Sequence, residues 1–307
     1  MPALSVLGAM TAKGWGFGNI SFLPTQKAIF AYGTTNVSNI VSSAGVVATD
    51  VTGVGVDKYN MGGCSYGGDK AIFGYGNQTT SYINLVSNTG VFAADTTAPG
   101  TARSGSAAAS YGRTKGIFAY GVITGSTNTA VSNLISDTGV VASDTTGVGT
   151  ARSYLSAAGY GGDKAIFGYG LITGSNRLNI SNLVSNTGVI ATDSAGVGTQ
   201  RGALAATSYG GDKAIFGFGG TSAANTNVGN LVSNTGVVAT DTTLAGTARR
   251  EIAASGYGGD KGIFGFGYVS SPTAITNLVS NTGTVASDTA GVGTARYGLG
   301  CAGFSYT

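Results

Sequence analysis

The charged side chains of this sequence recur at one spacing. Asp50, Asp95, Asp144, Asp193, Asp241 and Asp288 are each followed eight residues later by a base: Lys58, Arg103, Arg152, Arg201, Arg249 and Arg296. Guanidinium groups gathered on one face would make an anion site, because the planar fork matches carboxylate or phosphate. Carboxylates gathered at one point would hold calcium, which takes about six to eight oxygens. The third possibility is structural: each base pairs with an Asp of its own or of a neighbouring copy, the state in which a charge near a buried seam is tolerated. The spread of one Asp per copy favours this structural pairing for all twelve residues, with no metal site.

Other chemistry is thinly supplied. Histidine is absent, which removes the commonest general base near neutral pH and the commonest metal ligand. Cys64 and Cys301 lie far apart without a CxxC spacing and are expected as core thiols. The acids outside the recurring pattern are Asp57, Asp137 and Glu251. Glycoside hydrolysis needs two carboxyls about 5 to 10 Å apart, so one of these would have to work with a recurring Asp. The sequence therefore predicts no enzyme and no cofactor. A formal charge of +3, without a basic cluster, argues against a nucleic-acid partner. Gly, Ser, Thr and Asn interrupt every apolar run, so no membrane insertion is expected. The opening MPALSVLGAM has no basic stretch of the kind that begins a secretion signal.

The elements that position these residues are written six times. The anchors are Lys27-AIFAYG, Lys70-AIFGYG, Lys115-GIFAYG, Lys164-AIFGYG, Lys213-AIFGFG and Lys261-GIFGFG, at intervals of 43 to 49 residues. Each copy reads as four short strands. Strand a is a small-residue segment such as SAAASY, strand b the KAIFGYG run, strand c a segment such as NLVS, and strand d GVVATD, beginning at Gly90 and its equivalents. YGGDK joins a to b and SNTG joins c to d, both tight turns rich in residues that accept positive φ. No helical stripe is present, and the β-branched content suits a pleated surface. The recurring Tyr66, Tyr111, Tyr160, Tyr209 and Tyr257 and the Phe of each strand b, from Phe30 to Phe264, are expected to pack between copies.

An Arg, a small-residue strand, an apolar strand ending in Gly, a variable loop and a final hairpin, as in Arg152-SYLSAAGYGGDKAIFGYG and on to Asp193, resemble the kelch-repeat β-propeller family. Two features depart from that pattern: Gly-Tyr-Gly or Gly-Phe-Gly stands in place of a double Gly, and strand d has no Trp. The resemblance implies an all-β fold, a six-bladed β-propeller of four-stranded antiparallel blades, with a seven-bladed or irregularly closed ring as the alternative. Residues 1–22 are expected as an N-terminal arm or closing strand, and 23–307 as a single domain of six repeats. Strand a has a surplus candidate among segments 16–23 and 298–306: either the C-terminal segment completes the first blade and residues 1–22 form an arm, or the two ends pair in an irregular seventh unit.

Connectivity puts the b-c and d-a connections on one face. The b-c connection varies, from a step of 6 positions between Gly33 and Asn39 to one of 12 between Gly121 and Asn133. Its unrepeated side chains Tyr82, Asn128, Asn176, Arg177, Asn225 and Tyr268 are the candidate ligand-binding residues. The pattern predicts a non-catalytic structural or recognition protein, resembling a virion component such as a phage capsid decoration, fibre or tail-associated part made in the host cytoplasm. Its partner would be a capsid or tail protein, a further copy of itself, or a host-surface glycan. The alternatives are a glycan-binding, lectin-like propeller and, behind it, a glycan-active enzyme; an intracellular adaptor, a role many kelch-like rings have, is a third.

Overall fold

The computed structural model describes residues 25–172 and 176–307; the 1–22 arm and the 16–23 strand candidate lie outside the described residues. Those residues form six antiparallel sheets of three or four strands and no helix. The first sheet has β1 (Lys27–Ala31), β2 (Val37–Val41) and β3 (Val51–Thr52), the second β4 (Gly62–Tyr66), β5 (Lys70–Gly74), β6 (Tyr82–Val86) and β7 (Thr96–Thr97). The third has β8 (Ala107–Tyr111), β9 (Lys115–Ile123) and β10 (Thr127–Ile135), the fourth β11 (Ser156–Tyr160), β12 (Lys164–Gly168) and β13 (Ser181–Val184). The fifth has β14 (Ala205–Tyr209), β15 (Lys213–Gly217), β16 (Val228–Val232) and β17 (Thr242–Thr243), the sixth β18 (Ala253–Tyr257), β19 (Lys261–Gly265) and β20 (Thr276–Val279). The last strand, β21 (Gly300–Phe304), returns to the first sheet and pairs with β1 from Lys27↔Phe304 to Ala31↔Gly300.

The Lys-led strands are buried on both faces: Ala71, Ile72 and Phe73 are consecutive and each 0% exposed. A strand whose side chains alternate between faces can do this only if both faces are covered. The covers are the neighbouring sheets. Each of six hydrophobic clusters is shared by two successive sheets, and the one holding Phe30 and Cys301 with Ile263 and Phe266 joins the sixth sheet to the first. Glycine at the end of strand b makes this close approach possible. A Cβ on Gly217 would stand 2.7 Å from the Phe264 ring of the next sheet, and Gly168 meets Phe216 in the same way.

The fourth strand differs from the sequence expectation. GVVATD contributes one bridge per copy, such as Val86↔Phe92, and the ladder resumes only beyond the Asp as a two-residue strand or a single bridge. The cause is a side chain. Asn84 on β6 donates from Nδ2 to the Ala93 carbonyl and to Asp95 Oδ1, so its amide occupies the place of a backbone rung.

Candidate functional site

Each recurring base is buried at the seam between two sheets. Arg103, Arg152, Arg201, Arg249 and Arg296 are 0% exposed. Arg201 donates from Nε to the Phe218 carbonyl, from Nη1 to the Thr199 carbonyl and from Nη2 to Asn230 Oδ1 at 2.7 Å, while its guanidinium lies 4.1 Å from the Tyr169 ring centroid. That ring belongs to the preceding sheet and Asn230 to the following one. Tyr169 and its equivalents take left-handed backbone, φ +59° to +65°, which aims the ring into the seam. Burial pulls the guanidinium groups below their usual range, Arg249 and Arg296 to about 10.

The acids pair across the seam, with a partner the sequence did not suggest. Lys58 meets Asp95 of the next copy at 2.6 Å, and Arg296 and Arg249 approach Asp50 and Asp288 at 3.9 and 4.0 Å. For Arg103, Arg152 and Arg201 the direct side-chain contact is Asn133, Asn182 or Asn230. That Asn donates in turn to Asp144, Asp193 or Asp241, leaving the ions one amide apart. Each of these Asp residues also latches the preceding copy: Asp241 accepts from the Thr199 N–H and hydroxyl, and Asp50 from those of Thr294 at the other end of the chain.

Burial raises these carboxyls, but the Thr and Asn hydrogen bonds and the adjacent cation outweigh it and hold Asp50, Asp144, Asp193, Asp241 and Asp288 below the usual carboxylate range. Lys58 in place of Arg does the same for Asp95. A carboxyl depressed by folding stabilises the fold fully above its unfolded pKa, near 3.9, and the contribution disappears as pH falls through the folded value. Thermal stability is therefore expected to change little from pH 7 to about 5 and to drop steeply below about pH 4, as all six latches protonate together. A melting temperature that declines evenly across the whole interval would contradict the latch.

Two bases leave a buried polar atom over: Arg103, whose Nε has no hydrogen bond, and Lys58, which stands where the other copies have Arg. Lys58 Nζ donates to Asp95 Oδ1 and to the Val56 carbonyl but not to the Asn side chain that the guanidinium fork engages in the other copies, and Asn84 Oδ1 is left buried without a hydrogen bond. The Tyr82 ring, 5.9 Å from Lys58 Nζ, fills the space, where the other copies place Val37, Val131, Ile180, Val228 or Ile275. The double variant Lys58→Arg/Tyr82→Val is expected to gain about 1–3 kcal/mol by satisfying that oxygen. Calorimetric melting checks this; a melting point at or below that of the natural chain refutes it.

The other loop candidates fall into three groups. Asn128 donates to the Leu171 carbonyl, Arg177 to that of Gly220 and Asn225 to those of Tyr268 and Val269, each a tie to the next sheet's b-c connection. Asn176 is exposed, its carbonyl accepting from the Ile172 N–H. Tyr268 belongs instead to a cluster nearer the first strands.

Two residues beyond each buried base, the backbone bonds to the neighbouring copy. Asn60 donates its N–H to Gly298, Gly298 to Glu251, Glu251 to Ala203, Ala203 to Tyr154, Tyr154 to Gly105 and Gly105 back to Asn60, all at 2.7–3.0 Å. Every member has φ between +52° and +67°, a conformation that costs Tyr154, Ala203 and Glu251 about 1–2 kcal/mol each. Small and large residues alternate around this circuit. The Tyr59 ring lies over Gly298, leaving no room for a Cβ, and the Tyr154 ring lies 3.4 Å from a Cβ position on Gly105.

The Tyr59 hydroxyl donates to Glu251 Oε2, and Arg250 Nε stands 3.6 Å from Oε1 of the same carboxylate. Arg250 also lies over the Tyr268 ring at 5.0 Å and bonds Asn225 Oδ1 at 3.3 Å. Tyr297 meets Tyr59 edge to face at 5.5 Å and Tyr268 at 5.2 Å. Burial first, and the Glu251 carboxylate after it, raise the phenols of Tyr59 and Tyr154, so both remain hydrogen-bond donors. Asn60, Tyr154 and Glu251 rim a narrow cavity of about 90 Å³ that the first strands of all six sheets line. A wider cavity of about 490 Å³ opens at the opposite end, beside the YGGDK turns.

Compared with known proteins, the chain matches no family model and no curated protein. Four tyrosines, one carboxylate and one guanidinium converge at the rim, on the same face as the b-c connections. Among the described residues, no group of three or more Cys, Asp and Glu side chains is placed to hold a metal ion. Of the cluster, only Tyr268 stood among the sequence candidates, and Glu251 was visible as the single Glu of the chain. A signal was present: in the column just after the buried base, Tyr59, Ser104, Ser153, Gly202, Arg250 and Tyr297 are of four residue types, whereas the base column itself has two.

Proposed function

We propose that the chain is a six-bladed β-propeller whose face of b-c and d-a connections recognises a partner without catalysis. The setting proposed from its near-identical tandem copies and sparse charge is a phage particle, where the partner is a capsid or tail protein or a host surface. The pairing of β21 with β1 and the backbone circuit returning from Gly298 to Asn60 support the ring. One observation carries the recognition role: a molecule that repeats its chemistry six times breaks that repetition at the rim around Glu251. Glu251 is the lone carboxylate of this cluster, whereas acid-pair hydrolysis uses two.

Co-sedimentation with phage particles and with host envelope fractions tests this proposal. The chain is expected to pellet with one of them, and a bulky maleimide label on Ser222→Cys, in a b-c connection, to block it. The same label on Thr187→Cys, in a c-d turn, should leave binding intact; both positions are exposed and the native thiols are buried. Failure to pellet with either fraction, or equal inhibition by both labels, would refute it.

A further inference from the structure

We propose that the Glu251 rim is a binding site for one uncharged pyranose ring of a glycan, an assignment that rests on the recognition role and names its ligand. The rings come first. Tyr59 spans the rim, from its own sheet across Gly298 to the Glu251 carboxylate, and Tyr297 stands at 85° to it. A floor and a wall of half-buried phenols form an apolar corner with polar tips, the shape that suits a ring with a C–H face and a hydroxyl edge.

Charge decides between ligand classes. Arg250 and Glu251 lie side by side and offset each other at the corner itself, with a second guanidinium, Arg177, acting on Arg250 from the b-c connection. Arg250 and Glu251 both keep hydrogen-bonding capacity. A guanidinium has five N–H donors and Arg250, 44% exposed, directs one at Asn225 and one edge toward Glu251. A carboxylate accepts at about four lone-pair sites, and Glu251 receives a hydrogen bond from the Tyr59 hydroxyl. Donor and acceptor side by side match the paired hydroxyls of a sugar. Tyr59, Arg250 and Tyr297 stand outside the lining of the narrow cavity beneath, so the sugar would rest on the rim.

Isothermal titration with neutral di- and trisaccharides of glucose, galactose, mannose and N-acetylglucosamine tests the site, with sialyllactose and spermidine as charged probes. At least one neutral sugar is expected to bind. Tyr297→Ala should weaken it about tenfold or more by removing the wall, while Tyr297→Phe, which keeps the ring, should bind within about threefold of the natural chain. Far-ultraviolet circular dichroism of both variants separates loss of the wall from loss of fold. Binding of only the charged probes, no binding of any neutral sugar, or equal affinity in Tyr297→Ala would overturn the assignment. If the chain still pellets with particles or envelopes in that event, the recognition role stands and only its ligand falls.

Discussion

Removing residues 299–307 is expected to abolish cooperative folding. The deletion strips β21 from β1 and with it a five-residue ladder, leaving the Lys27–Ala31 backbone as an open edge. It also removes Phe304 and Cys301, buried at 1% and 6% exposure in the clusters that join the first sheet to the second and to the sixth. Two ties across the ends disappear, from the Ser65 hydroxyl to Gly303 and from the Ser305 N–H to Asp69. Losing a buried Phe alone costs about 3–5 kcal/mol, and marginal domains have only about 5–15 in total. The truncated chain should melt without a sharp transition, or many degrees below the full chain. A transition as sharp and as high as that of the full chain would mean that the first sheet stands without its last strand.

The second large effect is expected at a single side chain. Arg201→Met fits the seam by volume but leaves Asn230 Oδ1, the Phe218 carbonyl and the Thr199 carbonyl without their donor. Breaking a buried, fully bonded charge costs about 3–5 kcal/mol, because the remaining partners stay desolvated. Arg201→Lys should lose less, since it reproduces the arrangement found at Lys58, with a charge kept and the Asn oxygen orphaned. Urea unfolding should rank the natural chain first, the Lys variant second and the Met variant last. Arg201→Met within about 1 kcal/mol of the natural chain would show that the seam does not depend on the fork.

The sequence carried the fold where local chemistry decides it. Strand b begins at its Lys, and the Gly pair of YGGDK supplies the positive φ of the a-b turn, as at Gly67 and Gly68. The spacing from Asp to base also showed that charge belongs to the architecture. It did not show that the pairing crosses to the next copy or that Asn stands between the ions, because those are contacts between residues about 30 positions apart. Strand d was misplaced for a related reason. Hydrophobic alternation marks the Val segment, but the ladder there is interrupted by the Asn84-type amide, and its outward residues, Val46, Val91 and Val140 among them, are exposed. The rim was the least legible part. Tyr59, Tyr154, Arg250 and Tyr297 look like scattered loop residues along the chain, and only the meeting of successive copies brings them together.

In the proposed ring the two ends of the chain meet in the same seam that joins every other pair of sheets. Amide hydrogen exchange reads this directly at Asn60 and Gly298, whose N–H groups belong to the circuit that Gly105, Tyr154, Ala203 and Glu251 complete. If the ends meet, all six amides should exchange with protection of the same order. Asn60, with the Lys27–Ala31 amides, exchanging orders of magnitude faster than Tyr154 and Ala203 would contradict it.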